Sequence, residues 1–290
     1  TAEWKEIGTS HVINEERIKK TNPVHPSNIL NQIPSVWISR GSGQEHLTSI
    51  RSPVLTGPGA CGSFLILEDG IPTRPSGFCN VNGLFETNFE NAEKLEVIKG
   101  PSSARYGSNA MHGLINIINF TNSAEKRELL ANYGPDDYFS FKLKVKSEII
   151  DISTSLSKYN GFRDNSGHDQ QKFVINRKFD LKRWNANANL SSTNLNQETA
   201  GYIYGLDSYK NLSEIKKNTN PEAFRDARSN RASLRLFRTI EEGYQSLSPY
   251  IRETSMEFLQ HYLPGTPLEK NSHQSAGLIG IQVNELSSYS

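Results

Sequence analysis

The sequence predicts an α+β domain followed by antiparallel strands of a transmembrane β-barrel. Three observations carry this expectation. Up to about Thr121, short apolar runs alternate with dense Gly, Pro, Ser and Asn; beyond Asn122, long segments alternate between apolar and polar residues. The links between those segments are either very short or long and polar, the rhythm of an outer-membrane barrel.

In the first part, Asn14 precedes the charged segment Glu15 to Lys20 as an N-cap would, predicting a helix of one or two turns. Pro26-Ser27 opens a second helix in which Ile29, Leu30 and Ile33 share a face until Pro34. Strands are predicted at Val36 to Ser39, Thr48 to Arg51, Phe64 to Leu67, Leu95 to Ile98 and Leu114 to Ile118. Asp69-Gly70 reads as a hairpin turn. Gly100-Pro101 breaks the chain after Leu95 to Ile98, and Gly107 is placed to stop a short helix before the next strand.

In the second part, Phe139, Phe141, Leu143 and Val145 alternate with Ser140, Lys142, Lys144 and Lys146, giving one apolar and one cationic face. Ile150, Ile152 and Leu156 oppose Asp151, Ser153, Ser155 and Ser157, with a tight turn near Ser147-Glu148. Trp184, Ala186, Ala188 and Leu190 repeat the pattern against asparagines. Further strands are expected near Glu128 to Tyr133, Lys172 to Leu181, Ala232 to Phe237, Gln245 to Arg252 and Ala276 to Val283, with a long polar loop from Asn194 to Ser229. A soluble sandwich would also alternate; strand length and unequal links favour the barrel, with Tyr133, Tyr138, Trp184 and Tyr250 as interfacial aromatics.

With 32 basic and 31 acidic residues the net charge is +1, which gives no electrostatic case for nucleic acid. No run is long and apolar enough for a spanning helix, a test that barrel strands never meet. Cys61 and Cys79 have no neighbouring ligands at zinc spacing. They form a disulfide worth about 3 kcal/mol in an oxidising compartment, or stay as two buried thiols in a reducing one.

No catalytic or cofactor-binding motif is complete in the sequence. Gly100 and Gly107 are too far apart for a phosphate-binding loop and no Lys follows. Arg40 to Leu47, "RGSGQEHL", lacks the third glycine of a dinucleotide fingerprint, and no Gly-x-Ser-x-Gly pentad occurs. The seven histidines show no metal-binding spacing, so the expectation is no catalytic residue, no metal and no cofactor.

One stretch is more specific. "EKLEVIKGPSSARYGSNAMHGLINII" resembles the end of the plug domain of TonB-dependent outer-membrane receptors, with its Glu-Val-x-Arg-Gly-Pro turn, Tyr-Gly, Asn-Ala, Gly and Ile-Asn-Ile strand. "NILNQIPSVWISRGSGQEHLTSIRS" and "FLILEDGIP" are similar to that family's two earlier plug segments, in order. The resemblance covers about Ser10 to Asn119. It implies a plug over residues 1–122 and the N-terminal part of a barrel over 123–290, in the bacterial outer membrane. It also implies TonB-driven import of a scarce large nutrient such as a siderophore, cobalamin, metal chelate or glycan, with TonB and lipid as partners and no enzyme activity. A plug-like periplasmic binding module fused to a soluble β domain is the alternative, and a secreted β-rich hydrolase a third.

On that resemblance, substrate would meet the plug loops near Val54 to Ser63 and Thr73 to Asn82, through Thr56, Gly57, Pro58, Gly59, Thr73, Arg74, Ser76, Phe78 and Asn80. Cys61 and Cys79 lie one in each loop, and their disulfide would pin the two together. Arg40, Arg51 and Lys99 are the expected ionic contacts with barrel carboxylates. The chain departs from the family at Lys99, where Arg is usual and could make a two-pronged bond, and at Ser52, where Gly is usual. No TonB box is evident before Ser10. A plugged barrel has about 22 strands, and the 167 residues from 124 onward supply about eight at roughly ten residues each plus links. The expectation is therefore the N-terminal part of a longer protein.

Overall fold

The computed structural model describes residues 9–52, 64–75, 82–120 and 124–284. β1 (Thr9–Asn14) runs into α1 (Glu15–Thr21), where the Asn14 side chain accepts the Arg17 N–H at 3.0 Å and Asn22 closes the helix in the left-handed region. α2 (Pro26–Leu30) starts on Pro26, whose missing N–H costs nothing at a helix start. It stops at Leu30, before Pro34, but Ile29, Leu30 and Ile33 are all buried as the shared face required. β2 (Val36–Arg40) and β3 (His46–Ile50) form a separate hairpin.

β4 (Phe64–Glu68), β5 (Ile71–Pro72), β6 (Lys94–Lys99) and β7 (Gly113–Ile118) join β1 in a five-stranded sheet ordered β1-β6-β7-β4-β5, with β4 and β7 parallel. β4 is buried along its whole length because both faces are covered. Phe64 and Ile66 pack with Ile18, Ile29, Leu95 and Ile117 on one side; Leu65 and Leu67 pack with Ile98, Ala110 and Leu114 on the other. That explains a continuous apolar run where a half-exposed strand would alternate. Asp69 and Gly70 both have positive φ, 51° and 83°, as the two-residue hairpin turn demands. α3 (Ser103–Tyr106) is the single turn expected after Gly100-Pro101, and Gly107 follows it at φ 82°.

The second part is one eight-stranded antiparallel meander: β8 (Lys126–Gly134), β9 (Tyr138–Lys146), β10 (Ile150–Tyr159), β11 (His168–Leu181), β12 (Trp184–Glu198), β13 (Phe224–Ile240), β14 (Gly243–Leu259) and β15 (Leu268–Asn284). Each strand pairs with its sequence neighbour, so the links fall alternately at two ends. At one end the turns are short, 147–149, 182–183 and 241–242. At the other are the 135–137 turn and the loops 160–167, 199–223 and 260–267. The expected loop from Asn194 to Ser229 is shorter than its polarity suggested: β12 runs to Glu198 and β13 begins at Phe224, because strands here continue past the apolar band.

The alternation has the expected sense. Phe139, Leu156, Phe173 and Leu190 are exposed on the outer face, whereas Ser140, Lys142, Lys144, Lys146, Asp151, Ser153 and Ser155 are buried on the inner one. Of the expected interfacial aromatics, Tyr133 is exposed near the loop end and Trp184 stands at a short-turn end. Tyr138 and Tyr250 instead belong to the inner rows of buried Ser140 and Arg252, because their positions share parity with those residues.

Candidate functional site

The inner face of the meander is covered by the N-terminal domain, and that interface is where charge is concentrated. Strand parity aims Lys144, Lys146, Lys172, Arg225 and Arg231 inward, and the domain answers each with a carboxylate. Near the loop end, Glu45 accepts the Arg225 guanidinium at 2.9 and 3.1 Å. Deeper, Glu90 takes Lys172 at 2.6 Å and Glu68 takes Arg231 at 2.6 Å. Toward the short-turn end, Glu93 pairs with Lys144 and Lys146, and Glu15 pairs with Lys126 and, at 2.7 Å, with Lys144. Lys19 on α1 reverses the polarity once, meeting Glu128 of β8.

These pairs count because they are removed from water. Lys172, Lys146, Glu90 and Glu93 each keep no more than 4% of their side-chain surface, where an uncompensated charge would cost several kcal/mol. Lys172 completes its shell with the Thr87 carbonyl at 2.8 Å and the face of Phe89, 4.5 Å from the ring centroid. Arg231 also donates to the Glu86 carbonyl at 2.7 Å. Between the ion pairs the 3-10 turns Leu84–Glu86 and Phe89–Asn91 supply the remaining contacts. Phe85 is buried against Leu195, Ala227 and Met256 of three successive strands. Asn88 donates to Ser153 at 2.8 Å and Asn91 to the Thr154 carbonyl at 3.0 Å.

Burial also sets protonation within the domain. The Asp69 carboxylate accepts the Asn119 N–H at 2.9 Å through Oδ1, while Oδ2 is buried without a partner. Desolvation, reinforced by neighbouring Glu68, pushes its pKa up to about 7. His46 is pushed down to about 4 and His25 to about 3, both chiefly by burial. The geometry agrees: His46 Nδ1 donates to the Gln44 carbonyl at 2.9 Å and Nε2 accepts the Leu84 N–H at 3.3 Å, a neutral ring with both nitrogens used. Burial opposes ionisation of Glu15, but its hydrogen bonds from Lys126 and Lys144 outweigh that and hold its carboxyl below the usual range.

The residues expected from the sequence are distributed differently. Thr56, Gly57, Pro58, Gly59, Cys61, Ser76, Phe78, Cys79 and Asn80 lie outside the described residues, and the expected disulfide with them. Thr73 and Arg74 point into the domain: Thr73 bonds the Ile66 carbonyl through its N–H at 3.0 Å, and Arg74 pairs with buried Glu86. Lys99 is buried and donates to the Pro34 carbonyl at 3.1 Å, Arg51 donates to Thr9 at 3.2 Å, and Arg40 is exposed. None of these last three pairs with a carboxylate among the described strands; there the carboxylates belong mainly to the domain and the cations to the wall. Sequence reasoning missed Glu15, Glu45, Glu68, Glu90 and Glu93, although the cationic face of β9 was the signal that acids had to oppose it. At the turn where the sequence has Ser52, Arg51 adopts a positive φ of 49°.

A compact α+β domain held by its carboxylates against the inner face of an eight-stranded antiparallel meander is the arrangement of a plug against part of a barrel wall. Residues 5–114 match the family model described as TonB-dependent Receptor Plug Domain. Solved structures agree over plug and strands together. The ferric citrate transporter FecA, unliganded, superposes with a TM-score of 0.73 at 18% identity, covering 94% of this chain and 44% of that one. The ferric-catecholate import receptor Fiu from E. coli K12, in its open form, gives 0.66 at 16% identity, with the same two coverages. FpvA of P. aeruginosa, bound to a pyoverdine–iron complex, gives 0.71 at 11%, covering 95% and 38%. Residues 5–114 thus match the plug domain of the TonB-dependent receptors, a family of outer-membrane proteins of Gram-negative bacteria, the fold of plug and strands together is that of these solved receptors, and the chain spans less than half their length.

Proposed function

We propose that this chain is the plug, residues 1–122, and the first eight wall strands, within 123–290, of a receptor that imports a scarce large nutrient across the outer membrane in a TonB-dependent manner. One observation carries the reading: the plug fills the inner face of the wall through carboxylates matched to the wall's inward cations, so the lumen is closed by a body that ionic contacts can hold and release. The outward row of apolar side chains supports a lipid-facing wall and counts against a soluble β domain.

In this reading the loops near Val54 to Ser63 and Thr73 to Asn82 meet substrate, with Cys61 and Cys79 bridging them. The test is uptake of labelled iron chelates and cobalamin by cells expressing the complete gene, with and without TonB. Accumulation that requires both the gene and TonB is expected. Equal accumulation in cells lacking TonB would overturn the reading.

A further inference from the structure

On the outer face of the wall, Arg177 is surrounded by apolar side chains. Its neighbours along β11 are Ile175 and exposed Phe179, and the strand register sets Ile150 of β10 and Ala188 of β12 beside it. Arg177 is itself exposed and makes no ion pair or hydrogen bond among the described residues. A guanidinium facing hydrocarbon is costly, and the cost fades toward either interface. Arg177 leans toward one of them: its guanidinium carbon stands 5.0 Å from the ring centroid of Phe179, two residues nearer the short-turn end.

Arg238 repeats the arrangement two strands away. It lies one step beyond the Asn185–Phe237 pair, beside Trp184 at the start of β12, with its guanidinium carbon 4.6 Å from that ring's centroid. Its Nε donates to Gln245 at 2.7 Å, which leaves both terminal amino groups for another acceptor. The tip of the β11–β12 hairpin adds Lys182 and Arg183, both exposed and without a partner among the described residues. The acids of this end stand elsewhere. Asp180 has the inward parity of Lys178, Glu148, Glu241 and Glu242 lie in turns, and none is paired with these four cations.

Short turns of an outer-membrane barrel face the periplasm, so this patch meets the leaflet built of phospholipid. Free guanidinium donors beside an apolar strip of Phe179, Leu181 and Trp184 fit a molecule with a phosphate at one end and hydrocarbon at the other. We propose that Arg177, Lys182, Arg183 and Arg238 form a binding site for the phosphate of an anionic phospholipid in the periplasmic leaflet, its acyl chains lying on Phe179, Leu181 and Trp184. The site rests on the lipid-facing wall of the import reading above and is independent of the substrate.

The test is native mass spectrometry of the complete receptor, solubilised in detergent and titrated with phosphatidylglycerol or with zwitterionic phosphatidylcholine. The wild type binds phosphatidylglycerol saturably and more tightly than phosphatidylcholine. Arg177→Gln and Arg238→Gln each weaken phosphatidylglycerol about fivefold, the scale of one basic residue at an anionic membrane surface, and together weaken it further. The pair Lys182→Gln and Arg183→Gln, confined to an exposed turn, weakens it as well. Arg228→Gln, which removes an exposed outward cation near the loop end, changes nothing. Unchanged phosphatidylglycerol affinity in either double variant overturns the site, as does an equal loss in Arg228→Gln. Inorganic phosphate that displaces the lipid at equal concentration overturns a lipid as the occupant. These outcomes leave TonB-dependent uptake, the test of the import reading, untouched. A complete receptor recovered without detergent in the soluble fraction would instead overturn the lipid-facing wall that both readings share.

Discussion

Glu68 at the end of the plug strand β4 and Arg231 in the middle of the wall strand β13, 163 residues apart in the chain, meet at 2.6 Å. Glu68 is also bonded by the Asn119 side chain at 3.0 Å and the Asn88 N–H at 3.3 Å, so one carboxylate ties three plug segments to the wall. Glu68→Gln leaves the guanidinium nearly buried beside a neutral amide. The plug seat should weaken by about 3 kcal/mol, the scale for removing one partner of a buried pair. Denaturant-dependent protease cleavage of the plug in outer membranes measures the loss, and a change within error would show that the contact is energetically idle.

Lys172 and Glu90 allow the pair itself to be separated from its burial. Lys172→Met and Glu90→Gln should each destabilise the seat by about 3 kcal/mol, since each strands a charge. The double variant should cost about as much as either alone, giving a coupling of about 3 kcal/mol in a double-mutant cycle. Additive losses would mean that the two side chains act independently despite their 2.6 Å separation.

Gly113 begins β7 at φ 144°, and a Cβ there would stand 2.2 Å from the Ile98 carbonyl oxygen. Gly113→Ala has both a backbone conformation and a backbone clash to overcome, and strain of this kind costs about 1–3 kcal/mol before any contact is counted. Little protease-resistant plug should reach the outer membrane. Gly70→Ala, with nothing near its Cβ, is the control for positive φ alone and should retain the plug.

Asp69 titrates in the opposite sense to a salt-bridged acid. Its native pKa of about 7 exceeds its unfolded value, so the folded plug binds the extra proton between about pH 4 and 7 and stability falls as pH rises through that window. Asp69→Asn keeps the left-handed turn and an oxygen for the Asn119 N–H, and should remove that slope while raising stability at pH 8. His25 and His46, held neutral, act oppositely, costing stability as pH falls below about 6.5. Plug melting from pH 5 to 8 in both proteins is the measurement; parallel curves would refute the assignment to Asp69.

The fold was largely legible because its signals are local. Asn14, Pro26, Asp69-Gly70 and Gly107 act on the backbone within a few residues of themselves, and the alternation of β9 and β10 needs no knowledge of what covers either face. Strand ends were less legible, since Asn194 to Glu198 are as polar as a loop yet continue the β12 ladder. The ionic seat was half legible. Lysines on one face of β9 announce a polar partner, but which carboxylates meet the wall's cations depends on residues far apart in the chain, 82 apart for Glu90 and Lys172 and 180 for Glu45 and Arg225. Arg40, Arg51 and Lys99, expected from the resemblance as ionic contacts, meet no carboxylate of the eight described strands, whose partners are mainly plug anions.

The sign of that seat reaches beyond holding the plug. Where the plug is lifted away, Lys144, Lys146, Lys172, Arg225 and Arg231 lose their carboxylates together, and this part of the wall gains a positive potential that the seated plug had neutralised. The carboxylates that hold the plug in place therefore also discharge the wall behind it.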